Sequence, residues 1–231
     1  KPRPTDDQPF LPSMVDESSG LVKSRMNPGV FWTHNDSGDM PRLFAISETG
    51  RLLGVFEVPG ALAIDWEAVA TDLDGHLYIG DIGNNRNMRR DLTVYQVKEP
   101  TVVINTRDAI QGEATLIRQL RFHYPEQTGY PTKDAINFDA EALFWATHPK
   151  MGAGTLYLLT KHRSDTLTTL YRFDEMNGEG SLPLRKMGVF DVGGDPDNFG
   201  GMVTGADVTA DGQLLAILTY HAAFIFRRSD I

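Results

Sequence analysis

Four carboxylates stand out in this sequence by position. Glu67 opens Glu67-Ala68-Val69 and Glu141 opens Glu141-Ala142-Leu143, and in each case an apolar pair, a turn and an apolar strand follow. Asp36 and Asp81 close such strands, in His34-Asn35-Asp36-Ser37-Gly38 and Gly80-Asp81-Ile82-Gly83-Asn84-Asn85-Arg86. If the fold brings equivalent positions together, carboxylates converge and repel one another unless a cation, a shared proton or a basic partner intervenes. A hard cation is one answer, since calcium accepts six to eight oxygen ligands without fixed local spacing. Glu67, Glu141, Asp36 and Asp81 are therefore the candidate metal ligands, with calcium as the ion. The alternative is that Glu67 and Glu141 accept backbone hydrogen bonds and lock one structural repeat to the next. Asp36 and Asp81 could likewise only cap their own turns.

Three histidines, His34, His162 and His221, lie near the ends of comparable strands. An imidazole there could act as acid, base or anion ligand, or be a rim side chain bonded to a loop. His34 and His162 are the catalytic candidates. Asn84, Asn85, Arg86, Lys161, Tyr220 and His221 form the candidate substrate-binding set, and Arg89, Arg90 and Arg163 add positive charge suited to a phosphate or carboxylate. Solvated loops account for the arginines nearly as well. Trp32, Trp66 and Trp145 could stack on a sugar, although aromatic residues recurring near strands more often pack one unit on another.

What positions these residues is an internal repeat. Four segments share one order of features: a small or acidic residue before an apolar pair, a turn, an apolar strand ending in polar residues, then another strand. They begin at Ser19, Glu67, Glu141 and Thr204. A further strand recurs, because Gly54-Val55-Phe56-Glu57-Val58-Pro59-Gly60 resembles Gly188-Val189-Phe190-Asp191-Val192-Gly193-Gly194, with 115–122 at the corresponding place in the second copy. Four strands per unit is the pattern of a β-propeller blade. Asp74-Gly75 and Asp211-Gly212 supply hairpin turns. The excess over a usual blade length falls in residues 124–137 and 193–202, long loops suited to the rim of a site.

The expectation is an all-β propeller over residues 13–231, following a polar N-terminal tail at 1–12. Four blades are visible. The fourth has three strands, so either residues 10–15 complete it in a closed four-bladed ring or the parent fold is five-bladed and lacks its last blade here. In a propeller the first strand of each blade lines the channel, which makes Glu67 and Glu141 neighbours.

Composition narrows the partners. The chain has 231 residues, a formal net charge of −9 and no cysteine. That charge argues against nucleic acid, and the absence of cysteine excludes disulfides and thiol chemistry. No apolar run approaches the ~20 residues of a membrane-spanning helix. The proline-rich opening Lys1 to Pro9 resembles what signal removal or a linker leaves, and points to a periplasmic or secreted protein. No nucleophile elbow, phosphate-binding loop or zinc-protease helix is present.

The run from Ser19-Gly20-Leu21 through Asn35-Asp36-Ser37-Gly38, with Ile64-Asp65-Trp66-Glu67-Ala68-Val69-Ala70, Tyr78 to Asn85 and Thr204-Gly205-Ala206-Asp207, resembles a family of mostly uncharacterised bacterial β-propeller proteins. In that family a further blade usually follows, which favours the five-bladed parent. More distantly, the Glu-Ala-Val and Glu-Ala-Leu starts are similar to calcium-dependent propeller hydrolases of the phytase-like and gluconolactonase-like groups. This resemblance implies metal binding at Glu67 and Glu141. Two functions follow as expectations. One is a metal-assisted hydrolase of a phosphoester, lactone or other ester, with Asp36, Asp81, Glu67 and Glu141 on the cation, His34 or His162 moving protons, and a small anionic or ester substrate. The other is a non-catalytic propeller that binds a protein or glycan.

Overall fold

The computed structural model describes residues 11–104, 108–132, 137–147 and 152–227. Its elements run β1 (Ser18–Lys23), β2 (Val30–Asn35), β3 (Arg42–Ser47), β4 (Leu52–Glu57), β5 (Trp66–Thr71), β6 (His76–Asp81), β7 (Thr93–Lys98), β8 (Ile110–Glu113), β9 (Leu116–His123), β10 (Ala140–Thr147), β11 (Gly154–Thr160), β12 (Leu167–Arg172), β13 (Leu182–Pro183), β14 (Arg185–Asp191), β15 (Val203–Val208), β16 (Leu214–Thr219) and β17 (Ala223–Arg227). One 3₁₀ turn, Pro196–Asn198, is the sole helical element among the described residues. No helix there is long and apolar enough to cross a membrane.

The strands form four antiparallel blades, β1-β2-β3-β4, β5-β6-β7-β9, β10-β11-β12-β14 and the three-stranded β15-β16-β17. This is a four-bladed propeller arrangement with β1, β5, β10 and β15 as successive inner strands. Alternation fixes the hairpins, and glycines at positive φ close their turns, for example Gly75 at φ 83° and Gly212 at 69°. Blade faces pack on one another through aromatic residues: Trp32, Trp66 and Tyr95 fill the space between blades 1 and 2, and Phe122, Tyr124, Tyr171 and Phe173 that between blades 2 and 3. Trp32 and Trp66 are thus inter-blade packing, 0% and 1% exposed.

Two short strands fall inside stretches that read as connection in the sequence. β8, which lies between β7 and β9 in the chain, pairs in parallel with β4 of blade 1, Gly54 opposite Ile110 and Glu57 opposite Glu113. β13, from blade 3, pairs in parallel with β9 of blade 2. Blades 2 and 3 thereby each add a fifth strand to the blade before them. A buried carboxylate ties the same interface: Glu99 Oε1 accepts hydrogen bonds from Ser24 Oγ, from Asn27 Nδ2 at 3.0 Å and from Trp32 Nε1 at 2.9 Å.

The expectation that residues 10–15 complete blade 4 is corrected here. Phe10 lies outside the described residues, but Val15 is buried against Phe44 and Val55 in blade 1, and its N–H closes a turn on Pro12 O at 2.8 Å. The apolar side chain chose the gap beside blade 1. Leu21 on β1 and Leu218 on β16 stay 57% and 50% exposed, although their repeat equivalents Val69, Leu143, His34 and Leu159 are buried between blades. The facing sides of blades 4 and 1 are therefore open among the described residues.

Candidate active site at the channel mouth

Every inner strand carries the same irregularity. The register shifts between Ser18 and Gly20, Trp66 and Ala68, Ala140 and Ala142, and Val203 and Gly205, so Ser19, Glu67, Glu141 and Thr204 are the extra residues of four equivalent β-bulges. A bulge leaves its residue out of the ladder and re-aims its side chain. All four line one cavity of about 420 Å³ at the channel mouth, together with Asp36, Asn85, Lys161, Arg163 and Tyr220.

Within the mouth, ligand oxygens of Asp36, Asp65 and Glu67 lie within 4.8 Å of one another. Asp65 was not among the candidates, yet the sequence holds the signal: Asp65-Trp66-Glu67-Ala68 repeats as Asp139-Ala140-Glu141-Ala142. The backbone pins Asp65, whose carbonyl accepts from Ile82 N and Gly83 N, both at 3.1 Å, while its own N–H donates to Asp81 Oδ1 at 3.0 Å. Gly83 closes over the pair. A Cβ there would lie 2.3 Å from Asp65 Oδ2 and 2.6 Å from Glu67 Oε1, so only glycine lets the backbone approach these carboxylates.

The cost of convergence appears in the acidities. Burial, then the nearby Glu141, Asp36 and Asp65, push the Glu67 carboxyl up to about 10, against a hydrogen bond from Ser19 Oγ at 3.0 Å. Burial and then Asp36 push Asp65 up to about 6, with Arg89 opposing. Without a cation, Glu67 holds its proton at neutral pH. The residues present fit a hard divalent cation: three oxygen donors within reach of one point, raised pKa values at Asp65 and Glu67 that a positive charge would relieve, and a glycine cradle that keeps the space open.

The other candidates are distributed as follows. Glu141 shares the mouth, but Lys161 Nζ stands 2.7 Å from its Oε1 and 3.0 Å from Tyr220 Oη. Burial raises the Glu141 pKa and Lys161 opposes that rise. Asp81 lies outside the triad, 1% exposed and 2.8 Å from Arg89 Nη1. The reason is a register of one. Asp36, Lys161 and Ile82 donate their N–H groups to Glu17, Asp139 and Asp65 carbonyls, so Ile82, not Asp81, is the repeat equivalent of Asp36. Asp81 acts beneath the site as a strut for Asp65.

His34 is fully buried, with Nδ1 2.9 Å from Asn35 O and its ring edge-on to Trp66 at 5.6 Å. Burial lowers its pKa. His162 is 6% exposed, its Nδ1 2.8 Å from Asp165 Oδ1 and its Nε2 3.1 Å from Thr169 Oγ1. Burial lowers its pKa too, with Asp165 opposing. Neither imidazole lines the mouth cavity. Asn84 is a buried tie between blades, its N–H donating to Asp139 Oδ1 at 2.6 Å. Asn85 lines the mouth and accepts from Arg163 Nη2, which also lies 2.8 Å from Asp139 Oδ2. Arg86 is exposed on the adjoining loop. Tyr220 lines the mouth, and His221 Nε2 holds Asn198 O at 2.6 Å.

The site is thus a mouth with carboxylates on blades 1 and 2 that are unpaired among the described residues, and on blade 3 a carboxylate paired with an ammonium beside a guanidinium. No protein-family model matches this chain, and no curated protein matches it in sequence. Among solved structures it is similar to the Dos1 propeller, at 12% identity and a TM-score of 0.43 over 91% of this chain and 54% of that one. It is also similar to Hsv2 of Kluyvelomyces marxianus, at 12% and 0.41 over 90% and 52%, and to a chain of the mitotic checkpoint complex, at 10% and 0.40 over 91% and 63%. The chain spans between half and two thirds of the length of these structures.

Proposed function

We propose that the channel mouth is a calcium site that takes a small anionic ester and hydrolyses it. The observation that supports this reading is the convergence of Asp36, Asp65 and Glu67 to within 4.8 Å under Gly83. A bound divalent cation supplies Lewis acidity and a water of lowered pKa. The protein's own residues do the rest. Asp36, Asp65 and Glu67 would hold that cation through their carboxylate oxygens. Lys161 and Arg163 attract the anionic end of the ester. A second reading, a propeller that binds a protein or glycan without catalysis, is favoured by the enclosure of His34 and His162, which removes both histidines from proton transfer.

Titration calorimetry with calcium, followed by hydrolysis assays with p-nitrophenyl phosphate and a small lactone with and without chelator, tests the proposal. Calcium binding with chelator-sensitive hydrolysis is the expected result. Calcium binding with no turnover of either ester moves the function to the binding propeller. No calcium binding and no shift in melting temperature overturns the metal site.

A further inference from the structure

The loop at 193–202 brings a phenyl ring under backbone strain to Tyr220, a residue that lines the mouth. Phe199 has φ 61°, a left-handed conformation in which the Cβ of any residue but glycine crowds the neighbouring carbonyl. The ring gains no burial in return, for Phe199 is 59% exposed. Strain that holds an apolar side chain in water serves something other than folding. The loop is also tightly held. His221 Nε2 donates to Asn198 O at 2.6 Å, Gly200 N donates to Asp195 O at 2.7 Å, and a Cβ on Gly201 would lie 2.5 Å from Thr166 Cα.

The strained ring stands beside a second exposed aromatic. Phe199 and Tyr220 have centroids 5.7 Å apart at 59°, and Tyr220, 55% exposed, lines the mouth. Tyr220 Oη in turn lies 3.0 Å from Lys161 Nζ. An apolar wall of two rings therefore ends, on the cavity side, at the ammonium that is paired with Glu141 at 2.7 Å. That sequence of surfaces matches a ligand with a ring at one end and a negative charge at the other.

We propose that Phe199 and Tyr220 form an aromatic platform that selects ring-bearing small anions for this mouth. The inference rests on the reading of the mouth as an anion-taking site. The ring of the ligand lies on Phe199 and the near edge of Tyr220, while its charged group meets Lys161. Phe199 is then a specificity residue, acting on binding and not on the cation.

Calorimetric titration of the calcium-loaded protein with inorganic phosphate, phenyl phosphate and glucose 6-phosphate tests this. At least one ring phosphate should bind about tenfold more tightly than inorganic phosphate, the size of one aromatic stacking contact. The preferred ring identifies the class, aromatic or sugar. Phe199→Ala and Phe199→Gly should each bring the ring phosphate down to the affinity of inorganic phosphate and leave inorganic phosphate unchanged. Phe199→Gly should also raise the melting temperature, because glycine takes this φ freely. Equal affinity of the wild type for all three anions, or a Phe199→Ala variant that keeps the preference, overturns the platform. Calcium binding with no affinity for any of the three overturns the anion reading of the mouth and the platform with it.

Discussion

Glu67 and Glu141 occupy the same bulge on adjacent inner strands, and Lys161 Nζ stands 2.7 Å from Glu141 alone. One member of the pair is thereby neutralised within the protein, and the other faces Asp36 and Asp65. The two glutamates should respond differently to the same substitution. Glu67→Gln replaces a carboxyl that already holds its proton at neutral pH and should leave the calcium-free protein about as stable as wild type. Glu141→Gln leaves Lys161, whose side chain is 5% exposed, without its anion, and should cost about 3–5 kcal/mol. Urea unfolding of both variants in chelator checks the difference.

The raised pKa values of Glu67 and Asp65 set a pH dependence. A carboxyl whose folded pKa lies above its unfolded value binds more protons in the native state, so stability falls as pH rises between the two values. For Glu67 the window runs from the model-peptide value of 4.5 to about 10. For Asp65 it runs from 3.8 to about 6. Melting temperature in chelator should fall steadily from pH 5 to pH 9, and calcium should flatten the fall. Calcium at one hundred times its dissociation constant adds about 2.7 kcal/mol, or ~5–10 °C for a chain of this size. Glu67→Gln should remove most of the slope.

Gly83 gives a third test, one aimed at the backbone. In Gly83→Ala the new methyl group must displace the Asp65 carboxylate, which it would otherwise meet at 2.3 Å. The variant should lose the calcium-dependent gain in melting temperature. Asp65→Asn should lose it also, by removing a ligand charge without crowding.

Away from the mouth, Glu99→Ala should destabilise the interface of blades 1 and 2 by about 3 kcal/mol, since the Trp32 indole, Asn27 and Ser24 all donate to one of its oxygens. Glu99→Gln keeps an acceptor and should cost less. Fluorescence-monitored denaturation orders the two variants.

Most of the blade pattern was legible because hairpins are local: alternation and Asp-Gly turns mark strands such as β6 and β16 without reference to the rest of the chain. β8 and β13 were not, since a four-residue and a two-residue strand are defined by a distant partner and carry little pattern of their own. The mouth was half legible. Glu67 and Glu141 stood out by repetition, and Asp65 could have been found from the repeated Asp-X-Glu-Ala. Asp81 was assigned to the wrong register because counting from strand ends cannot resolve a shift of one residue, while the hydrogen bonds of Asp36 and Ile82 can. The enclosure of His34 had no signal in sequence, as it depends on Trp66 arriving from the next blade.

The borrowed strands bear on how such a chain matures on the ribosome. Blade 1 receives its outermost strand from β8, which is synthesised after three strands of blade 2, and blade 2 waits on β13 in the same way. No blade among these two can finish before most of its successor has emerged. Assembly is then vectorial and overlapping, like roof tiles laid from one end, and a nascent chain always presents one unfinished edge for its own next segment to cover.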